Sequence, residues 1–179
     1  MVARARAAGE YEGALRGVIH ALKYSGRQSL ARPLAERLRR RGRDLLESVD
    51  CVVPVPLHWS REYHRGFNQA REIARHLGPC MVDMLVRHRP TRPQVELAAD
   101  RRRANVEGAF KLRRHWFRTS NVAGLRIALV DDVSTTGATL EACAQLLKES
   151  GASEVYALTA ARVVTRSRHS RALFPNPQS

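Results

Sequence analysis

Apolar positions divide the chain into helical stripes that alternate with short apolar runs. Leu15, Val18, Ile19 and Leu22 fall at helical spacing, which predicts a helix over residues 10–24 ending near Ser25 and Gly26. Leu30, Leu34 and Leu38 recur at steps of four and predict a second helix from Ser29 to Leu46, with Ser29 as N-cap and Pro33 near its start. The β-favouring run Cys51 to Val53 reaches Pro54 and Pro56, which stop a ladder and stiffen the exit. Ala70, Ile73, Ala74 and Leu77 mark a helix, and Met81 to Val86 a short strand. From Arg87 to Val106 the periodicity disappears, as in a functional loop or lid. Gly108 to Leu112, Leu125 to Val130 and Glu154 to Ala161 read as strands. Leu140, Cys143, Ala144 and Leu147 define a helix over Ala138 to Ser150, with Lys148 in its last turn and Gly151 placed to cap it. Alternating strands and helices predict an α/β fold: a largely parallel twisted sheet with right-handed crossovers, flanked by helices.

The stretch from Leu125 to Thr139 carries the chemistry. Its apolar strand runs into two carboxylates, Asp131 and Asp132, followed by the small-residue loop Ser134, Thr135, Thr136, Gly137, Ala138 and Thr139, and then a helix. Open α/β sheets place ligands at the carboxyl ends of their strands. Two carboxylates accept hydrogen bonds from a vicinal diol such as the 2′ and 3′ hydroxyls of a ribose. The loop offers backbone N–H groups, hydroxyls and the positive end of a helix dipole, which together suit a phosphate. Gly137 lets the backbone approach an anion closely. No Gly-Lys-Ser/Thr follows, so the loop is not a Walker loop, and no Gly-x-Gly-x-x-Gly follows any strand, which argues against a dinucleotide-binding reductase.

A second cluster follows the prolines. Residues 58–69 read His-Trp-Ser-Arg-Glu-Tyr-His-Arg-Gly-Phe-Asn-Gln. Arg61 and Arg65 can make bidentate contacts to phosphate oxygens, and Gly66 permits close backbone approach. The same residues also fit an N-capped helix start with Phe67 packed inward.

Composition narrows the partners. The chain has 179 residues, 44% of them hydrophobic, enough for one α/β domain with a core. The net charge is +14, with 31 basic residues against 17 acidic, which favours phosphorylated substrates or nucleic acid. Arg37, Arg39, Arg40, Arg41 and Arg43 fit a solvated helix face. No aromatic–basic pattern typical of single-strand binders stands out in the sequence. Cys51 and Cys143 fit apolar faces, and the absence of a CxxC argues against a zinc ribbon or disulfide framework in this chain. No apolar run approaches the length of a membrane span, and no apolar core follows the basic first residues, so a cytoplasmic protein is expected.

Residues 127–139 resemble the signature for phosphoribosyl pyrophosphate (PRPP) of type I phosphoribosyltransferases. Residues 53–57 with 65–69, and the segment from Tyr11 through Lys23 and Tyr24, resemble the ComF-like branch, named for a competence-associated protein. The resemblance covers about residues 10–163. It implies the type I phosphoribosyltransferase fold, with a small N-terminal helical cap over residues 1–46 that selects the acceptor, a core over 47–165, and a basic, frayed tail over 166–179. It implies displacement of pyrophosphate from PRPP by an acceptor, usually a nitrogen. Asp131 and Asp132 would hold the ribose hydroxyls, and 134–139 the 5-phosphate. Arg61, Arg65 and Gly66, with Arg102 or Arg103 of a lid that also contains Thr91, Gln94, Leu97, Arg101 and Asn105, would take the pyrophosphate. The expected catalytic set is Asp131, Asp132 and Arg103. Mg²⁺ would arrive on PRPP with several of its waters, reaching Asp131 and Asp132 through water rather than through a protein cage. Purine-salvage members carry an acid where this chain has Thr135, which weakens a 6-oxopurine acceptor. Residues 1–10 contain none of the four cysteines of the zinc element common at the start of ComF-like proteins. The alternative on the same fold is a non-enzymatic PRPP-sensing or DNA-uptake-associated protein. The acceptor and the oligomeric state, a homodimer included, stay open.

Overall fold

The computed structural model describes residues 1–89, 106, 108–113 and 122–164. Four strands form one parallel sheet in the order β1 (Ala5–Ala7), β6 (Glu154–Arg162), β5 (Arg126–Ser134), β2 (Cys51–Pro54). A sheet covered on both faces needs continuously apolar strands. Val52, Val53 and the run Ile127 to Val130 are all fully buried.

Strand alternation divides these side chains between two layers. Ile127, Leu129, Val155 and Ala157 pack with Leu140, Cys143, Ala144 and Leu147 of α6 (Ala138–Glu149). Ala128, Val130, Tyr156 and Leu158 pack against the other layer. That layer holds α1 (Gly13–Tyr24), α2 (Ala31–Arg41), α3 (Arg43–Leu46) and α5 (Gln69–Ala74), through residues such as Ile19, Leu22, Leu38 and Ile73. A two-stranded antiparallel ribbon, β3 (Leu85–Arg87) with β4 (Phe110–Leu112), joins the α6 side.

Several elements differ from the sequence reading. Ala5–Ala7 forms an edge strand where none was expected, so the first 46 residues contribute to the sheet as well as to the helices over it. The helix expected over 29–46 begins as a 3₁₀ turn (Gln28–Leu30), has no side-chain cap from Ser29, and breaks at Gly42. A Cβ on Gly42 would stand 2.6 Å from Leu158 Cδ2, so glycine lets the end of α2 approach β6. The segment after the prolines, for which the apolar pattern marks no helix before Ala70, contains α4 (Trp59–Arg65). β5 continues through both acids to Ser134 instead of ending at Val130.

The β3–β4 ribbon frames the segment expected to be a lid. His88 N–H donates to Ala109 O and Arg113 N–H to Met84 O. Thr91, Gln94, Leu97, Arg101, Arg102, Arg103 and Asn105 lie outside the described residues, as does the tail from 165. Cys51 and Cys143 are buried as expected, and Cys80 is exposed.

Candidate active site

Asp131 and Asp132 stand near the carboxyl end of β5, an inner strand flanked by β6 and β2. Because the strand continues past them, alternation sends consecutive side chains to opposite faces. Asp132 turns toward the α1 layer, where Lys23 Nζ lies 3.1 Å from its Oδ2. Asp131 shares its face with Leu129, on the α6 side, where the charges of Asp131 and Arg87 both act on the Cys143 thiol. Asp131 Oδ1 accepts the Asp132 N–H at 2.8 Å.

Burial first, and the Asp132 charge second, push the Asp131 carboxyl up to about 7. The Asp132 N–H, Lys23 and Arg87 pull it the other way. Arg87, the first residue of the segment expected to be a lid, is buried, with its guanidinium 5.4 Å from the Phe110 ring centroid. Burial and the Arg61 charge lower its pKa, while Cys143 and Asp131 oppose the change.

The loop after β5 is shaped for an anion. Gly137 has φ 79°, a left-handed conformation favoured by glycine, and as the N-cap of α6 it makes no side-chain cap bond of its own. Thr136 Oγ1 stands 3.5 Å from Ala138 N, a long contact for a cap. The Ser134 hydroxyl is buried and, among the described residues, has no hydrogen-bond partner. A phosphate group offers such donors the acceptors they lack. Thr135 and Thr139 flank the same turn.

Arg61 and Arg65 belong to α4. His58 is the N-cap of α4, with its Nδ1 accepting from Ser60 N–H at 3.4 Å and 2.8 Å from Ser60 Oγ. Gly66 ends the helix at φ 77°. No α4 residue is buried. The helix is tied down by polar contacts: Glu62 with Arg71 at 3.4 Å, and Arg65 with Gln69 Oε1 at 3.0 Å. The Arg65 guanidinium also lies 5.3 Å from the Tyr24 ring centroid. Phe67 is buried and Asn68 caps α5 through Ala70 N–H and Arg71 N–H, so the helix-start reading of this motif holds in the structure. Lys23, Tyr24, Gly26, Arg61, His64 and Arg65 line a cavity of about 210 Å³.

The structure therefore sets Arg61 and Arg65 with Lys23 on one basic cavity, ties Lys23 to Asp132, and puts Asp131 on the other face of the strand. Lys23 and Arg87 were missed as site residues. Lys23 shows only as part of the Tyr11–Tyr24 segment, because the fold, not local spacing, brings α1 over β5. Tyr24 lines this cavity and is 64% exposed, and Trp59 and Tyr63, on the same α4 as Arg61 and Arg65, are 73% and 83% exposed. Of the more distant arginines, Arg39, Arg40, Arg41 and Arg43 are exposed, as expected for a solvated helix face.

Among the described residues no group of three or more His, Cys, Asp or Glu could hold a metal. A hydrated Mg²⁺ carried by a phosphorylated ligand asks for only one or two carboxylates, and Asp131 and Asp132 fit that demand. Among the described residues no helix is long and apolar enough to cross a membrane.

Comparison with known proteins bears on this geometry. The sequence matches the phosphoribosyl transferase domain family over residues 63–175. It is 37% identical over 157 residues to the DNA utilization protein YhgH of Salmonella typhimurium, covering 82% of this chain and 66% of that protein. It is 32% identical over 157 residues to Competence protein F of Haemophilus influenzae, covering 82% of this chain and 67% of that protein. The chain thus spans about two thirds of the length of these curated relatives. The crystal structure of a purine phosphoribosyltransferase from Pyrococcus horikoshii aligns over 70% of this chain and 67% of its own, at 18% identity and a TM-score of 0.39, a likeness too low to carry an argument.

Proposed function

The chain belongs to the phosphoribosyl transferase domain family, in its ComF-like branch, and from that premise we propose that it binds PRPP and transfers the 5-phosphoribosyl group to a nitrogen acceptor with release of pyrophosphate. The observation that carries the reading is the junction of β5 and α6. Two carboxylates are followed by a buried serine hydroxyl that has no partner among the described residues, then by a left-handed glycine at a helix start without an N-cap side chain.

In this reading Ser134, Thr135, Thr136, Gly137, Ala138 and Thr139 hold the 5-phosphate. Asp131 and Asp132 are the expected holders of the ribose hydroxyls; Asp132, on the face of Lys23, takes them, and Asp131 backs it by accepting the Asp132 N–H. Arg61, Arg65 and Gly66, with Arg102 and Arg103 of the lid, take the pyrophosphate. Breaking the bond at C1 leads, so the protein's task is to position groups and neutralise charge developing on the leaving pyrophosphate. Removing one such contact costs about 2–4 kcal/mol in the transition state. Mg²⁺, when bound with PRPP, supplies further charge neutralisation at the phosphates. The helices of residues 1–46 form the cap over the site and select the acceptor, and the protein acts in the cytoplasm.

Saturable, magnesium-dependent PRPP binding tests the ligand, and acceptor-dependent pyrophosphate release tests the reaction. Binding without release across nitrogen acceptors would leave a PRPP sensor. A second reading, contact with single-stranded nucleic acid, is favoured by the exposed Tyr24 beside Arg65 and by exposed Trp59 and Tyr63 on the helix that carries Arg61 and Arg65, since bases stack on such rings next to cations. It requires a steep fall of DNA affinity with salt, and a slope near zero would remove it.

A further inference from the structure

Lys23 lies in the last turn of α1, far from β5 in the chain, yet its ammonium meets Asp132 Oδ2 at 3.1 Å. The two side chains are only 15% and 13% exposed. Lys23 also lines the basic cavity together with Arg61, His64 and Arg65. A cation in so sheltered a place, among other cations, needs an anion, and Asp132 supplies it here. The same carboxylate is the one the proposed function gives to a ribose hydroxyl.

We propose that Lys23 is a ligand of the pyrophosphate group, and that its ion pair with Asp132 compensates both sheltered charges until a pyrophosphate-bearing ligand takes over the ammonium and releases the carboxylate to the sugar. The inference rests on the reading of the site as a PRPP site. Lysine suits such an exchange: its ammonium is a compact charge with three rotatable donors on a flexible stem. The neighbours fit as well, because Arg61 and Arg65 on the same cavity give the phosphates partners that Lys23 alone could not. After the exchange the ammonium faces phosphate oxygens and the carboxylate faces hydroxyls, so neither buried charge is abandoned.

Calorimetric titrations with PRPP, magnesium pyrophosphate and ribose 5-phosphate test this on the parent chain, Lys23→Met and Asp132→Asn. Lys23→Met is expected to lower PRPP and pyrophosphate affinity tenfold or more and leave ribose 5-phosphate binding unchanged or tighter. A Lys23→Met chain that loses all three ligands alike, or none, would overturn the assignment. Asp132→Asn gives an independent check if Lys23→Met fails to fold. Freed of its competitor, Lys23 should bind pyrophosphate more tightly while ribose 5-phosphate weakens, and pyrophosphate affinity that is unchanged or lower would overturn the exchange. If the parent chain binds none of the three ligands, the PRPP reading itself fails. If it binds PRPP but the substitutions do not separate pyrophosphate from ribose phosphate, only the role of Lys23 fails.

Discussion

The carboxylates of Asp131 and Asp132, adjacent in the chain, serve opposite layers of the molecule. Asp132 pairs with Lys23 of α1, and Asp131 shares its face with the residues packed on α6. The cause is the length of β5: a strand that runs to Ser134 alternates its side chains through the acids. The two acids therefore differ in environment, one compensated by a lysine and the other held against its own ionisation by burial and its neighbour's charge.

That difference predicts a pH dependence of stability. The Asp131 carboxyl is raised to about 7 in the folded chain, against about 3.9 in an unfolded one. Between these values the folded state binds more protons, so the contribution of Asp131 is fully present below about pH 4 and is lost as pH rises through about 7. Its slope is at most about 1.4 kcal/mol per pH unit. Urea unfolding of the ligand-free protein between pH 5 and 8 should show a steeper loss with pH in the parent than in Asp131→Asn. Parallel curves would mean that Asp131 titrates normally.

Asn68 illustrates a motif residue whose structural role is visible. Its Oδ1 accepts from Ala70 N–H and its Nδ2 donates to Val55 O at 3.0 Å, joining α5 to the exit of β2. Asn68→Ala should cost about 2–4 kcal/mol, a lost cap plus a buried carbonyl left without its donor. Asn68→Ser should recover about 1 kcal/mol by restoring the cap alone. Chemical denaturation of the three chains measures both steps, and equal stability of the alanine and serine forms would contradict the cap.

Gly42 should tolerate no side chain. Its missing Cβ would stand 2.6 Å from Leu158 Cδ2 and 3.3 Å from Leu38 O. Gly42→Ala is expected to destabilise by about 1–3 kcal/mol through overpacking, although alanine favours helices. A thermal melt at or above the parent's midpoint would show that β6 yields.

The β5 run, the acids, the glycine turn and α6 were legible because each rests on local chemistry: continuous burial, strand-end polarity, and small residues before a helical stripe. Ala5–Ala7 was not, because three residues alternating alanine and arginine carry no periodic signal and become a strand only through pairing with Ala157 to Thr159. α4 was hidden for a related reason. None of its residues is buried, so no apolar stripe announces it. The pairing of Lys23 with Asp132 depends on how α1 crosses the sheet, which no spacing in the sequence encodes. The placing of Arg61 and Arg65 on one cavity agrees with their shared motif, whereas Arg102 and Arg103 fall outside the described residues.

The central claim is that the junction of β5 and α6 is a PRPP site. The most direct test is a calorimetric titration of the purified protein with PRPP, with and without Mg²⁺, at moderate salt to limit nonspecific attraction to a chain of net charge +14. The account predicts saturable binding that depends on Mg²⁺ and is abolished in a folded Asp131→Asn, Asp132→Asn double variant. No binding by the folded parent, or equal binding by the double variant, would contradict it.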